Sequence, residues 1–304
     1  MKKYILKIVL FFAIVAIVDF FFGQFCDKMN AHAKGGDTKQ LYDLVRRDHH
    51  DVLVFGSSRA HHHYVPTVLE DVLNMECYNA GYDGNGVVLA YPILAHVTER
   101  HKPAVVVFEV SRGFDIAVNE QDKKNTRYIS RLKPFYRIPA VTEVIKSVSY
   151  NDYLQVHSGL YRYNSTFVHM AMDNVLNMEM DPKGYQALSG TYVNDKIRKP
   201  FVEHPLDSLK IHYLVKMADL GKKLDINMVW VLSPQFFDES EEHKVYDVSK
   251  RIAEEHDIPF LDYYTDPDFV GREDLFRDAT HMNDTGARLF SDKVANDIKK
   301  LFNI

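Results

Sequence analysis

The chain is poor in cysteine and has no excess of basic charge, and each shortage removes a class of explanation. Only two cysteines occur in 304 residues, Cys26 and Cys77. One lies beside an N-terminal apolar run and the other in a predicted strand, so a bridge between them is not expected. The paired-cysteine spacing of a structural zinc site is also missing. Lys and Arg total 37 against 42 Asp and Glu, a formal net charge of -5 with a pI near 6.3. That balance leaves no electrostatic footprint for nucleic acid. There is no internal repeat and no low-complexity tract. What is present, 46% hydrophobic and 26% charged residues, is globular composition, enough for one large domain or two small ones.

There is a single long hydrophobic run, at the N-terminus: "MKKYILKIVLFFAIVAIVDFFFGQF". It stays apolar from Ile8 to Phe22 apart from Asp19. With Tyr4, Ile5 and Leu6 added, it is long enough to span a bilayer at ~1.5 Å per residue. Lys7 and Asp19 stand near its two ends, where a charge costs less than at the centre. A cleaved signal peptide is the competing reading. The small-residue "AHA" at 31–33 lies too far past the run for cleavage, and Phe25 before Cys26 makes a poor lipoprotein site. The expectation is an uncleaved signal anchor over 1–26. Lys28, Lys34 and Lys39 follow on its far side, but a short tail with Lys2 and Lys3 favours the cytoplasm, which puts the bulk of the chain on the extracytoplasmic side.

Residues 27–48 are polar and helix-like, a connector. The domain expected over 49–304 shows a repeated rhythm. Strands read at 51–55, 76–79, 104–110, 226–232 and 258–263, and helices at about 65–74, 86–100, 206–223, 240–256 and 284–302. Short, nearly all-apolar strands alternating with helices predict an α/β fold, a buried parallel sheet covered on both faces. The rhythm breaks over 111–205, rich in Tyr, Asn, Arg and Met and too long for a plain loop. That stretch is expected to be an inserted, partly helical cap after the third strand.

In open parallel sheets, sites form outside the carboxyl ends of strands. Those ends carry Gly56-Ser57-Ser58-Arg59, then "NAGYDGNG" (79–86), "EVSRGFD" (109–115), "LSPQFF" (232–237) and finally "RDATHMNDTGARLF" (277–290). A serine, a glycine turn and an Asp-x-x-His would meet at one rim. Acyl transfer needs that set: a serine hydroxyl is a weak nucleophile until an imidazole takes its proton, and a carboxylate fixes the imidazole's tautomer. Glycine amides can approach a developing oxyanion.

These stretches together resemble the SGNH (GDSL-type) hydrolase superfamily. "GSSR" stands where that family has Gly-Asp-Ser, which aligns Ser58 with the nucleophile. "NAGYDGNG" resembles its second block and sets Gly84 on the oxyanion glycine. "DATHMNDTG" resembles its last block, giving Asp278 and His281. The resemblance covers 51–110 and 226–302. It implies a flavodoxin-like three-layer sandwich with a five-stranded parallel sheet, a catalytic Ser58, His281 and Asp278, and an oxyanion hole from the amides of Ser58 and Gly84. No cofactor is implied. One departure stands out: the family's third block carries an asparagine donor, and "VSRGFD" has none. A looser kinship with anchored proteins of alginate O-acetylation and teichoic-acid D-alanylation suggests a substrate class, acyl groups on a glycan or cell-envelope polymer, and a membrane acyltransferase as a partner. The two functional expectations are therefore a serine esterase or O-acyltransferase, and a catalytically weak or inactive binding module of the same fold.

Several residues have plainer readings. Ser57 and Ser58 could cap the helix near Val65. Asp278 could be a helix cap, but Asn283 or Asp284 stands nearer and leaves it free. His61, His62 and His63 read as solvated or substrate-facing, since adjacent histidines point apart and no carboxylate or cysteine spacing supports a metal. Arg59, Arg112, Gln235 and Arg162 are candidate substrate contacts. Trp230 and Met170, Met172, Met178 and Met180 read as core.

Overall fold

In the computed structural model, residues 1–120, 125–175, 181–193, 202–237 and 240–304 are described; Met178 and Met180 lie outside them. The helices in chain order are α1 (Lys2–Ala31), α2 (Gly36–Arg47), α3 (Ser58–His63), α4 (Pro66–Leu73), α5 (Val87–Val97), α6 (Thr126–Ser130) and α7 (Pro139–Val148). They continue with α8 (Tyr150–Gln155), α9 (Gly159–Tyr163), α10 (Phe167–Val175), α11 (Ser208–Leu224), α12 (Ser240–Lys244), α13 (Asp247–Glu255) and α14 (Asp284–Phe302). The strands are β1 (Val52–Gly56), β2 (Cys77–Asn79), β3 (Val105–Glu109), β4 (Asn227–Leu232) and β5 (Phe260–Asp262).

The chain forms two compact units. Residues Met1–Asp43 and Thr126–Glu179 make one, and Leu44–Asn125 with Met180–Ile304 the other. The expected connector 27–48 is the end of α1 plus α2, and the stretch 111–205 is shared between the units.

The second unit is α/β. Its five strands pair in parallel in the order β2-β1-β3-β4-β5, the flavodoxin-like arrangement that the resemblance implies. Every residue of β1 and β3 is buried, so these strands read as continuous apolar runs instead of alternating. One helical group, α3, α4 and α14, packs together, and α5, α11 and α13 form another. Trp230 is fully buried and meets Phe108 edge-on at 5.8 Å.

Two helix boundaries differ from expectation. The helix expected at about 65–74 is α4, but a further short helix, α3, starts before it at Ser58. Tyr64 and Val65 then become extended, because a residue before proline is pushed out of the α region, and α4 restarts with Pro66 in its first turn. The helix expected over 240–256 is two, separated by a turn at 245–246 that buries the Tyr246 ring.

The first unit is helical. Every residue of α1 from Lys2 to Val18 is exposed, and α1 is long and apolar enough to cross a membrane. Its second half is built into the unit, with Gly23, Cys26 and Asn30 buried. Cys26, Tyr163 and Met170 form a small core with Phe22, Met29 and Phe167. Met172, expected inside, is 48% exposed.

Candidate active site

The strand β1 ends at Gly56, whose φ of +148° admits only glycine comfortably and whose added Cβ would stand 2.7 Å from the Glu109 carbonyl oxygen. That sharp exit starts α3 at once and puts Ser58 on its first turn, half-buried. Ser57 precedes it as a buried cap residue that makes no side-chain cap bond, so the plain capping role does not hold for either serine.

The Asp278 loop is a tight hairpin. Phe276 and Met282 bridge antiparallel, and the Arg277 amide donates to the His281 carbonyl at 2.8 Å. Asp278 Oδ1 accepts from the amides of Thr280 at 2.8 Å and His281 at 2.9 Å, an Asx turn that shapes the loop. Its Oδ2 lies 3.0 Å from His281 Nδ1. Asn283, not Asp278, caps α14 by accepting from Gly286 N.

These segments bring the three predicted residues together. Ser58 Oγ is 2.8 Å from His281 Nε2. A carboxylate only accepts, so the imidazole proton belongs on Nδ1, facing Asp278, and Nε2 is left as acceptor for the Ser58 hydroxyl. Burial pushes the Asp278 carboxyl up, but the hydrogen bond and charge of His281 and two amides outweigh it and hold the group well below the usual carboxylate range. Asp278 is therefore ionised wherever a histidine base is useful.

The Gly84 turn is held against α3. A Cβ on Gly81 would meet His61 N at 2.5 Å, so only glycine lets the two backbones touch. Two residues on, Asp83 Oδ1 lies 2.9 Å from His61 Nδ1 and 3.2 Å from His62 Nε2. Burial works against the Asp83 charge, but both imidazoles hold its carboxyl far below the usual range. His62 also donates from Nδ1 to the Gln186 carbonyl at 2.7 Å, and with Asp83 close by its pKa is raised despite burial. Gly84 itself lies in the turn that follows, with φ +67°.

The histidine run is therefore not solvated, which corrects that half of the expectation: all three rings are buried. His63 accepts from the Met282 amide at 3.0 Å through Nε2 and faces Ser233 Oγ at 3.0 Å through Nδ1. Ser233 Oγ in turn donates to Glu109 Oε1 at 2.8 Å. Burial lowers the His63 pKa well below its usual value, which keeps the ring neutral and able to accept from Met282. His61, His62 and Asp83 offer ligand atoms within 4.8 Å of one another, the one such group among the described residues.

Arg59 is a second correction. It follows Ser58 in sequence but turns inward, 4% exposed, with Nε 3.2 Å from Glu109 Oε1 and Nη2 on the Val110 carbonyl. It serves a buried ion pair, not a substrate. Burial raises the Glu109 pKa, while Arg59, Tyr64 and Ser233 stabilise its charged form. Glu109, Ser233 and the support role of His63 were not found by sequence reasoning. The available signal was a charged residue closing the otherwise apolar strand β3.

Arg112 is half-buried, with Nε 3.5 Å from Glu242 Oε1. Gln235 is buried beside Phe236, whose amide donates to Ala279 O at 3.1 Å. Arg162 lies in the helical unit, 3.4 Å from Asp27 and stacked on Tyr136 and Tyr163. The segment 181–193 packs along the site's elements: Gln186 N donates to His61 O, Asn283 Nδ2 to Gly190 O, and Tyr192 meets Phe236 at 4.5 Å between centroids.

No protein-family model and no curated protein matches the chain. Among solved structures it is similar to a protein assigned to the G-D-S-L family of lipolytic proteins from Desulfitobacterium hafniense DCB-2. That alignment has 15% identity and a TM-score of 0.41, covering 81% of this chain and 98% of that one. It is also similar to an acetyl xylan esterase, AlAXEase, at 14% identity and a TM-score of 0.41, again covering 81% of this chain and 98% of the other.

Proposed function

We propose that the chain is a membrane-anchored serine esterase or O-acyltransferase. Its substrate class is ester-linked acyl groups of an extracytoplasmic glycan or cell-envelope polymer. The observation that carries the reading is the unbroken line Ser58 Oγ, His281 Nε2, His281 Nδ1, Asp278 Oδ2, with steps of 2.8 and 3.0 Å.

Ser58 Oγ attacks the acyl carbonyl while His281 Nε2 takes its proton. Asp278 holds the imidazole in the tautomer that can do so and stabilises the imidazolium that forms. The oxyanion is received by the amides of Ser58 and Gly84. His281 then gives the proton to the departing alcohol, leaving an acyl-serine. Water as the second acceptor makes an esterase; a sugar hydroxyl makes a transferase. A membrane acyltransferase would be the partner that supplies or receives the acyl group.

The third strand end supplies no asparagine, and a lost oxyanion donor costs ~2.7–4 kcal/mol, a factor of ~10² to 10³ in rate. That shortfall favours the second reading, a weakly active or inactive binding module. Labelling separates the two better than turnover does. A fluorophosphonate is expected to label the wild type and Ser57→Ala but not Ser58→Ala. Absence of label on the wild type, under conditions that label known esterases, would leave only the binding module.

A further inference from the structure

We infer that the helical unit is itself seated in the bilayer surface, so that lipid acyl chains contact α9, the end of α8 and the start of α10 as well as α1. This rests on the reading that α1 crosses a membrane.

The 30 residues of α1 extend ~45 Å at 1.5 Å each, more than the ~30 Å of a hydrocarbon core. Counted from Lys3, where the basic tail ends, ~20 residues of core reach to about Gly23. Asp19 therefore lies inside the apolar layer, close to its outer edge. A bare carboxylate there is expensive. It is not bare: Ser158 Oγ at 2.6 Å, Gly159 N at 3.0 Å and Leu160 N at 2.8 Å all donate to it.

Those contacts fix residues 158–160 at the depth of Asp19. One turn on, Gly23 and Gly159 press together: a Cβ on Gly159 would stand 2.6 Å from Gly23 Cα. Small residues that let backbones touch are a device of helix pairs in lipid. Asp27 continues the seam with Tyr163 Oη at 2.5 Å. Along the other side, Phe22 meets Phe167 at 5.4 Å, and Asn174 Nδ2 reaches Met29 O at 3.5 Å. Helices α9 and α10 thus run up α1 from the apolar layer outward.

The side chains at the lower end are apolar and exposed: Leu160 at 44%, Val168 at 62% and Leu154 at 55%. Leu160 is bonded to Asp19, Val168 follows Phe167 on Phe22, and Leu154 precedes Gln155, whose carbonyl accepts from Ser158 N at 3.0 Å, so all three lie near the level of Phe20 and Phe21, also exposed. Hydrophobic side chains beside a lipid-facing helix, at its own depth, continue the surface that helix presents. Val175 belongs to the same helix as Val168, but seven residues farther along places it ~10 Å higher.

Depth-resolved quenching tests this on the full chain in vesicles of phosphatidylethanolamine and phosphatidylglycerol. Both native cysteines are buried, so a bimane label can be directed to Leu154→Cys, Leu160→Cys, Val168→Cys or Val175→Cys, with Phe12→Cys as lipid reference and Leu289→Cys as water reference. The expected result is loss of emission to brominated acyl chains at 154, 160 and 168, as at 12, and loss to aqueous iodide at 175 and 289. If 154, 160 and 168 answer only to iodide while 12 answers to lipid, α1 spans but the unit stands clear, and this inference is wrong. If those three are shielded from both quenchers, a second copy or another protein covers them and the inference also fails. Iodide quenching at 12 would overturn the spanning reading and this one with it.

Discussion

Replacing Asp278 with asparagine is the most searching change at the proposed site, because the local geometry dictates what the amide must do. Oδ1 of Asp278 accepts two backbone amides, Thr280 N at 2.8 Å and His281 N at 2.9 Å. An asparagine keeps that Asx turn only by placing its carbonyl oxygen there. Its NH2 group then falls where Oδ2 was, 3.0 Å from His281 Nδ1, and competes there with the retained carbonyl oxygen, which lies 3.1 Å from the same atom. Wherever the NH2 donates, the imidazole proton is driven to Nε2, which faces Ser58, and the base is lost while the loop keeps its shape. In a fully buried triad the equivalent change costs ~10⁴ in kcat. The Asp278 side chain is 51% exposed, so solvent screens part of the effect. The expected loss is ~10² to 10³, or about 3–4 kcal/mol of transition-state stabilisation. The assay is the second-order rate of Ser58 phosphonylation, which needs no knowledge of the natural substrate, with a thermal melt to show that the fold is kept. A rate within about threefold of wild type, on a protein melting normally, would refute the proposed proton relay.

Three further changes probe the support of the site. Ser233→Ala removes the link between His63 and Glu109 inside a buried network, an expected loss of ~2–4 kcal/mol; it is read from the urea midpoint at constant slope, and an unchanged midpoint would mean the network carries no stability. Gly81→Ala drives a methyl into the backbone of α3 and is expected to cost ~1–3 kcal/mol; equal stability by the same measurement would show that the two segments can part freely. Burial pushes the Asp115 carboxyl from its ordinary 3.8 up to about 7, against the amides of Val87 and Ser111. A folded pKa above the unfolded one means that protonation favours the fold. The contribution is whole below about pH 4 and lost as pH rises through about 7, on the order of 4 kcal/mol in all. The stability gap between wild type and Asp115→Asn should therefore shift toward the variant across that window, and a gap independent of pH would exclude the titration.

The sheet was legible because strands covered on both faces cannot alternate. "VLVFG" and "VVVFE" leave no other reading, and their residues are all buried. The meeting of Ser58 and His281, 223 residues apart, was legible for a related reason: in a parallel sheet the carboxyl ends of the strands lie at one rim. The histidine run is not solvated, as half of its expectation had it, although a helix normally shows one face to water and three adjacent residues cannot share a face. Here α3 is closed in on every side, by the Asp83 turn, by segment 181–193 and by α14, so all three go inward. Arg59 was misread for want of its partner. Glu109 lies fifty residues away in sequence, and neither residue alone announces an ion pair. The depth at which the helical unit packs along α1 was not legible, since the residues that meet Asp19 come from a stretch with no strand or heptad pattern to register it.

A helix of six residues has no stability of its own, since isolated helices shorter than ~12–15 residues are marginal in water. The position of Ser58 must therefore be set by what α3 is tied to, and its side chains reach several segments. Arg59 goes to the end of β3, His61 and His62 to the Asp83 turn, and His62 also to Gln186. His63 goes to Ser233 after β4 and to Met282, the residue next to the proposed base. The last tie matters most. Through His63, the helix bearing Ser58 and the loop bearing His281 share one rigid ring, so the 2.8 Å from Ser58 to His281 is fixed at two points instead of one. A site needing its reacting groups held within about half an ångström gains most from a second anchor of that kind. It also accounts for an imidazole that is neutral, buried and fully hydrogen-bonded standing five residues after Ser58, at the end of the same helix.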